Sequence, residues 1–149
     1  MVLMLVHGFP LDRRLWAAQV DAFANMTRVI TPDLRGHGRS QVVPGPFTME
    51  QHADDLVALL DHLKVRRAVV AGLSMGGYVA FAFWRRHPER VRGLILADTR
   101  AEPDSAAART GRDAAMAKVQ QAGVAGYADE MLPRLLAPAS LADVKIAGA

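Results

Sequence analysis

The feature that most constrains the fold is a glycine-rich hexapeptide, Gly72 to Gly77, which joins an apolar run to an apolar helical pattern. It reads Gly-Leu-Ser-Met-Gly-Gly. The apolar residues 68–71 predict a short buried strand, and the pattern over Met75–Arg86 predicts a helix. Small residues two before and two after Ser74 indicate a sharp bend, at which the strand and the helix leave no room for side chains. The segment therefore predicts a strand–turn–helix unit that lifts the Ser74 hydroxyl above the carboxyl end of a sheet.

The rest of the first hundred residues repeats this alternation of short apolar runs and helical patterns. Strands are predicted at Val2–Val6, 28–31 and Val91–Ala97, and helices at 15–24 and from the capping box that opens at Thr48. Strands that are apolar on both sides suit a parallel sheet with helices on both faces. The fold class is therefore α/β, with about four parallel strands and flanking helices. The helix after Ser74 is apolar nearly all round, so we expect it to be the most buried.

After Asp98 the sequence changes character, becoming alanine-rich and only weakly periodic. We therefore predict two parts, a partial core over residues 1–102 and a C-terminal helical, cap-like lid segment over 103–149. The second part is not expected to be an independent domain.

Composition excludes several classes of protein. The chain has 149 residues, a formal charge of +3 and no cysteine. Its basic pairs are scattered and lack interleaved aromatic residues, which predicts a solvated surface and no nucleic-acid partner. No apolar run reaches about 18 residues, so we predict no membrane span, and the apolar start is better explained by a strand than by a signal peptide. The absence of cysteine excludes disulfides and thiolate chemistry and fits a cytoplasmic location.

Ser74 is the candidate nucleophile, because the positive end of the following helix favours a developing oxyanion. A second donor is needed opposite the backbone N–H of Met75, and the N–H of Phe9, in His7-Gly8-Phe9-Pro10, is the natural partner. The alternative is a glycine-rich turn with an incidental serine. A phosphate-binding loop is excluded because its Gly-Lys-Ser/Thr ending is missing.

The histidines and the remaining glycine-rich loop favour structural roles. His7 is interpreted as a buried residue that fixes its loop rather than as a base. The loop from Asp33 to Ser40 is interpreted as a tight turn held by Asp33 and Arg35. The spacing of the five histidines matches no metal site, and no cofactor is predicted, since such chemistry needs only water as co-substrate.

Together, His-Gly-Phe-Pro, Asp-Leu-Arg-Gly-His-Gly-Arg-Ser and Gly-Leu-Ser-Met-Gly-Gly resemble the α/β-hydrolase superfamily, in its enol-lactonase, esterase and haloperoxidase-like branch. The resemblance covers nearly the whole chain. It implies a serine hydrolase acting on small esters or lactones, with Ser74 as nucleophile and Phe9 and Met75 as oxyanion donors.

The resemblance also implies what this chain lacks. Members of the superfamily are longer, and their catalytic histidine and usual acid follow the lid. The usual base is therefore expected to be absent here. Some branches place the acid after the strand that follows the nucleophile helix, a position that Asp98 occupies. We treat Asp98 as a candidate acid, although many relatives keep an aspartate there without using it.

The same comparison places the His-Gly strand and the nucleophile strand in the middle of the sheet. Strands 28–31 and Val91–Ala97 then form its edges, and an apolar edge is expected to be covered. We therefore predict a homodimer or higher homo-oligomer that forms through these edges.

Three hypotheses remain open from sequence. The chain is an active hydrolase of small esters whose histidine is recruited from His7, from another histidine, from a partner subunit or from missing polypeptide. Alternatively, it is a non-catalytic remnant that oligomerises or binds a ligand, or it is a fragment of a full-length enzyme.

Overall fold

The computed structural model describes residues 1–142, except the side chains at positions 122 and 124. It contains a parallel sheet of four strands in the order β2-β1-β3-β4. The strands are β1 (Val2–Val6), β2 (Arg28–Ile30), β3 (Ala68–Leu73) and β4 (Val91–Ala97). The predicted α/β class and the central position of β1 and β3 are confirmed. Sequence periodicity placed the end of β3 two residues early and the end of β2 one residue late.

The helices alternate with the strands along the chain. They are α1 (Ala17–Phe23), α2 (Met49–His62) and α3 (Met75–Arg86), followed by α4 (Ala106–Leu135) and α5 (Pro138–Leu141). Residues Arg13–Trp16 form a 3-10 helix. The single helix predicted at 15–24 is therefore two short helices.

One face of the sheet packs against α2 and α3 and carries the larger core. Met4 of β1 and Val70 of β3 are paired in register and are completely buried. Leu60 of α2 and Phe83 of α3 pack in the same cluster. On the other face Leu3, Leu5 and Ala71 form a smaller cluster against Trp16.

Local signals in the sequence fix α2. Thr48 and Gln51 exchange side-chain-to-backbone hydrogen bonds of 3.2 and 2.9 Å, which complete the predicted capping box. Acidic residues on the solvent side of α2 bind arginines at the end of α3, as in the pair Asp54–Arg86. Because these pairs are exposed, they add little to stability.

The prediction that α3 is the most buried helix is confirmed within residues 1–142, since it has six buried residues against four in α2. Its last turn, however, is exposed. Trp84 is 52% exposed, although Val79, Ala80 and Phe83 are fully buried or nearly so. The indole lies on the side of α3 that faces away from the sheet, and a helix over one sheet face can bury only the stripe that contacts it.

The chain forms two compact units, Met1–Ala101 and a second that begins at Glu102. In the second unit, α4 is broken at Gly123, where φ is 75° and ψ is 178°, a conformation essentially restricted to glycine. The predicted cap-like segment 103–149 extends past residue 142, outside the described residues, and its role as a lid stays a prediction.

Candidate active site

The strand–helix turn at Ser74 is as tight as its glycines indicate. Ser74 has φ 50° and ψ −112°, a strained conformation that costs of order 1–3 kcal/mol for a residue with a side chain. A Cβ atom on Gly72 would overlap the backbone of Gly76, and one on Gly76 would overlap the carbonyl groups of Val6 and His7. The glycines are therefore required by backbone crowding where β1, β3 and α3 meet.

The backbone of Ser74 is held from β4. Its N–H donates to the carbonyl of Ala97 at 3.0 Å, and its carbonyl accepts from Gly77 N–H at 2.9 Å. The hydroxyl of Thr99 donates to the same carbonyl at 2.9 Å. The side chain of Ser74 does not cap α3, and within residues 1–142 its hydroxyl makes no hydrogen bond. The half-buried hydroxyl is thus available at the helix N-terminus.

The loop after β1 lies directly against the turn. A Cβ atom on Gly8 would be 3.3 Å from Cβ of Ser74 and 3.2 Å from the carbonyl oxygen of Leu73, which is close packing. Phe9 follows Gly8 and is 46% exposed. Met75 begins α3, so its N–H has no acceptor within the helix. The fold therefore brings the predicted loop and the predicted helix N-terminus to either side of Ser74.

His7 fixes the loop that bears Phe9. Its Nδ1 lies 3.0 Å from the Gly8 carbonyl, which can only accept, and its Nε2 accepts from Leu34 N–H at 3.0 Å. These partners define the neutral tautomer with the proton on Nδ1. Burial is complete and lowers the pKa of His7. The predicted structural role of His7 is confirmed, and with both nitrogens engaged the imidazole has no free site for a proton from Ser74.

The other histidines differ sharply in position. His62 and His87 end α2 and α3, which run back from the carboxyl edge of the sheet, and α3 alone is about 18 Å long. His52 is buried against Phe47. The ring of His37 lies 5.1 Å from that of His7 and 6.0 Å from that of Phe9, and its Nδ1 lies 3.1 Å from the Arg35 carbonyl. His37 is thus the other imidazole beside the Phe9 loop.

Asp98 lies in the loop that holds Ser74. It is exposed, has φ 44°, and stands between Ala97 and Thr99, both of which bind the backbone of Ser74. Within residues 1–142 its carboxylate makes no hydrogen bond or ion pair. Sequence reasoning singled out Asp98 but missed Thr99, because an isolated threonine after a strand carries no distinguishing signal.

The glycine-rich loop after β2 is held largely as predicted. The Asp33 carboxylate accepts from the backbone N–H groups of Arg13 and Arg39 at 2.8 and 3.0 Å. Arg35, in contrast, reaches out of the loop to Asp55 of α2, with Nε at 2.8 Å. Asp33 therefore closes the loop and Arg35 anchors it to a helix.

Among the described residues, no three histidine, aspartate or glutamate side chains lie close enough together to hold a metal ion. None of the helices in residues 1–142 combines the length and apolarity that crossing a membrane requires.

A parallel sheet flanked by helices, with a strained serine at a tight strand–helix turn, defines the class of protein as an α/β fold. The family model for the alpha/beta hydrolase fold matches residues 1–131. The chain therefore belongs to the α/β-hydrolase family, as its sequence motifs predict.

Relatives in the family include lactonases and esterases. The chain is 33% identical over 129 residues to 3-oxoadipate enol-lactonase 2 of Acinetobacter baylyi, covering 87% of this chain and 47% of that protein. Among solved structures, a thermophilic esterase from Thermogutta terrifontis matches at 50% identity with a TM-score of 0.89, covering 96% of this chain and 53% of the esterase. The enol-lactonase from Burkholderia xenovorans LB400 matches at 34% identity with a TM-score of 0.86, over 97% and 55% of the two chains. The chain thus spans about half the length of these relatives.

The buried histidines give a prediction for the pH dependence of stability. Burial is the main cause that lowers the pKa of both His7 and His52 below 6.5. As the pH falls, the two histidines are protonated in the unfolded chain before they are protonated in the folded chain. The stabilisation of the folded state by the neutral imidazoles is therefore complete above about pH 6.5. It is lost as the pH falls toward the folded pKa values, by up to about 1.4 kcal/mol per pH unit for each histidine. Urea unfolding between pH 7.5 and 5 measures this slope. His52→Gln is expected to reduce this slope, and equal slopes for the wild type and His52→Gln would contradict the prediction.

Proposed function

We propose that this chain carries the nucleophile half of a serine hydrolase that cleaves small carboxylic esters or lactones. The observation that carries the proposal is the strained Ser74, whose hydroxyl lies beside the Gly8–Phe9 loop and the start of α3 and makes no hydrogen bond to any described residue. Strain at one residue persists only where the surroundings enforce it, and such strain concentrates at functional sites. The lactonase and esterase relatives support the substrate class.

In the proposed reaction the Ser74 oxygen attacks the carbonyl carbon of the substrate and its proton passes to a base. The carbonyl oxygen becomes an oxyanion, for which the N–H groups of Phe9 and Met75 are the proposed donors. The C–O bond then breaks, and the alcohol leaves with the proton from the base. A water molecule attacks the acyl-enzyme in the same way, releases the acid and restores Ser74.

The base in this proposal is unconventional or comes from outside the chain. Three histidines are excluded as the base. His7 has both ring nitrogens engaged in hydrogen bonds. His62 and His87 lie at the ends of α2 and α3, toward the opposite edge of the sheet. His52 is buried. The remaining sources are His37 and a histidine outside these 149 residues, from a partner subunit or from missing polypeptide. Asp98 is the proposed acid, because its exposed carboxylate lies in the loop that binds Ser74 and is suited to orient an incoming imidazole; within residues 1–142 it has no other partner.

Labelling by a fluorophosphonate and hydrolysis of a short-chain p-nitrophenyl ester test the proposal. We expect labelling of the wild type, slow hydrolysis, and a further decrease in hydrolysis for Asp98→Asn. A protein that neither reacts with the probe nor hydrolyses the ester would instead support a non-catalytic module of the same fold. The proposal includes a cytoplasmic location, which a sequence without cysteine fits.

The edge of the sheet at β4 supports self-association as part of the same proposal. Strand β4 is seven residues long and, in the part of the chain that the structure describes, pairs on one side only, with β3. Ile95 and Leu96 point to opposite faces of this strand and are 51% and 44% exposed. An apolar edge of this length is a template for another strand, and a second copy of the chain offers the same edge for pairing across a two-fold axis.

Light scattering at micromolar concentration should accordingly give a mass of at least twice 16.1 kDa. Ile95→Lys places a charge on the exposed edge and is expected to give a monomer. Val42→Lys is the matched control, because Val42 is 78% exposed in a loop away from the strand. A monomeric wild type, or an Ile95→Lys variant that still associates, would count against this edge as the interface.

A further inference from the structure

Thr99 binds one of the two peptide groups on which the proposed oxyanion site depends. Its hydroxyl donates to the carbonyl oxygen of Ser74 at 2.9 Å. That carbonyl belongs to the same planar peptide group as the N–H of Met75. In a trans peptide the C=O and N–H bonds point in opposite directions, so holding the carbonyl also aims the N–H.

The contact is specific rather than a by-product of helix formation. The Ser74 carbonyl already accepts from Gly77 N–H at 2.9 Å, so the Thr99 bond is not needed to satisfy it. The Thr99 side chain also lies against Gly77, so closely that a Cβ atom there would overlap it. Gly77 therefore leaves the space in which Thr99 approaches the turn.

A second bond from the same loop completes the arrangement. The carbonyl of Ala97 accepts from the N–H of Ser74 at 3.0 Å. Thr99, two residues further along the chain, donates from its hydroxyl to the carbonyl of Ser74. The loop between them turns at Asp98, where φ is 44°. Both backbone polar groups of the strained serine are thus fixed by one short segment after β4.

We infer that Thr99 is a positioning residue that orients the Ser74–Met75 peptide group, and through it the Met75 N–H, toward the developing oxyanion. This inference rests on the proposed serine hydrolase function. In this role the Thr99 hydroxyl acts through the Ser74 carbonyl and needs no contact with the substrate. It acts by keeping the peptide group in the orientation that the transition state requires, so its loss should lower kcat while KM stays nearly constant.

Two variants of Thr99 separate the hydroxyl from the methyl group. Thr99→Val keeps the shape against Gly77 and removes the hydrogen bond, whereas Thr99→Ser keeps the hydroxyl and removes the methyl group. We expect the rate of fluorophosphonate labelling and kcat for the p-nitrophenyl ester to fall about tenfold in Thr99→Val and to stay within about twofold of wild type in Thr99→Ser. Thermal unfolding of all three proteins confirms that they are folded.

The inference is overturned if Thr99→Val reacts at the wild-type rate, or if Thr99→Ser is impaired as strongly as Thr99→Val, since packing alone would then explain the residue. An unlabelled wild type would refute the proposed function instead. In that case the amide 15N chemical shift of Met75, which responds to hydrogen bonding at the preceding carbonyl, still tests Thr99. We expect a shift in Thr99→Val and not in Thr99→Ser, and identical spectra would overturn the inference.

Discussion

Replacement of Ser74 by alanine is expected to reduce fluorophosphonate labelling to background and ester hydrolysis by roughly two orders of magnitude or more. Alanine removes only the hydroxyl, which makes no hydrogen bond within residues 1–142, so the fold should not change. Ser140→Ala is the matched control, because Ser140 lies in α5 within the second unit. A Ser74→Ala variant that reacts like the wild type would contradict the assignment of Ser74 as the nucleophile.

The same assay locates the base. If the proton acceptor comes from outside these 149 residues, free imidazole should raise wild-type hydrolysis severalfold and leave Ser74→Ala unchanged. His37→Gln distinguishes the two remaining sources, since it abolishes any contribution from His37 and does not affect an external histidine. An increase with imidazole that persists without the Ser74 hydroxyl would be simple solution catalysis.

Replacement of Gly76 by alanine should lower the free energy of unfolding by about 3 kcal/mol or more. The added methyl group would overlap the backbone carbonyls of Val6 and His7, and backbone at the centre of a sheet cannot yield as a flexible side chain can. Urea unfolding followed by circular dichroism measures the change, with insoluble expression as its extreme form.

Gly93→Ala provides the control for this effect. Gly93 lies in β4, and a Cβ atom there would have no neighbour within 4 Å. We expect that variant to be neutral or more stable by roughly 0.5–1 kcal/mol, because alanine has fewer unfolded conformations to lose. Equal unfolding free energies for the two variants would show that crowding at the turn is not what requires glycine at position 76.

Together these experiments separate chemistry from architecture. Ser74→Ala and the Thr99 pair change reactivity in a folded protein, whereas Gly76→Ala changes the backbone on which that reactivity depends. If Gly76→Ala destabilises the chain while Ser74→Ala is without effect, the strained turn is real but its serine is not a nucleophile.

The sequence by itself determined the local structure and the order of the elements. Apolar runs alternating with amphipathic patterns specify β1 to β4 and α1 to α3, because their periods reflect which side chains each element must bury. The capping residues Thr48 and Gln51 define the start of α2 within four residues of chain. The glycines around Ser74 indicate the tight turn, because only residues without side chains permit such close backbone contact.

Only the tertiary structure decided how distant residues act on Ser74. The hydrogen bond from Thr99 to Ser74 spans 25 residues, and the hydrogen bond between Leu34 and His7 spans 27. Arg35 pairs with Asp55 of α2 rather than within its own loop. The exposure of Trp84 and Ile95 likewise depends on which surfaces the other elements reach. Hydrophobic periodicity records that a side chain is apolar, but the direction of a hydrogen bond depends on where two separate segments of backbone meet.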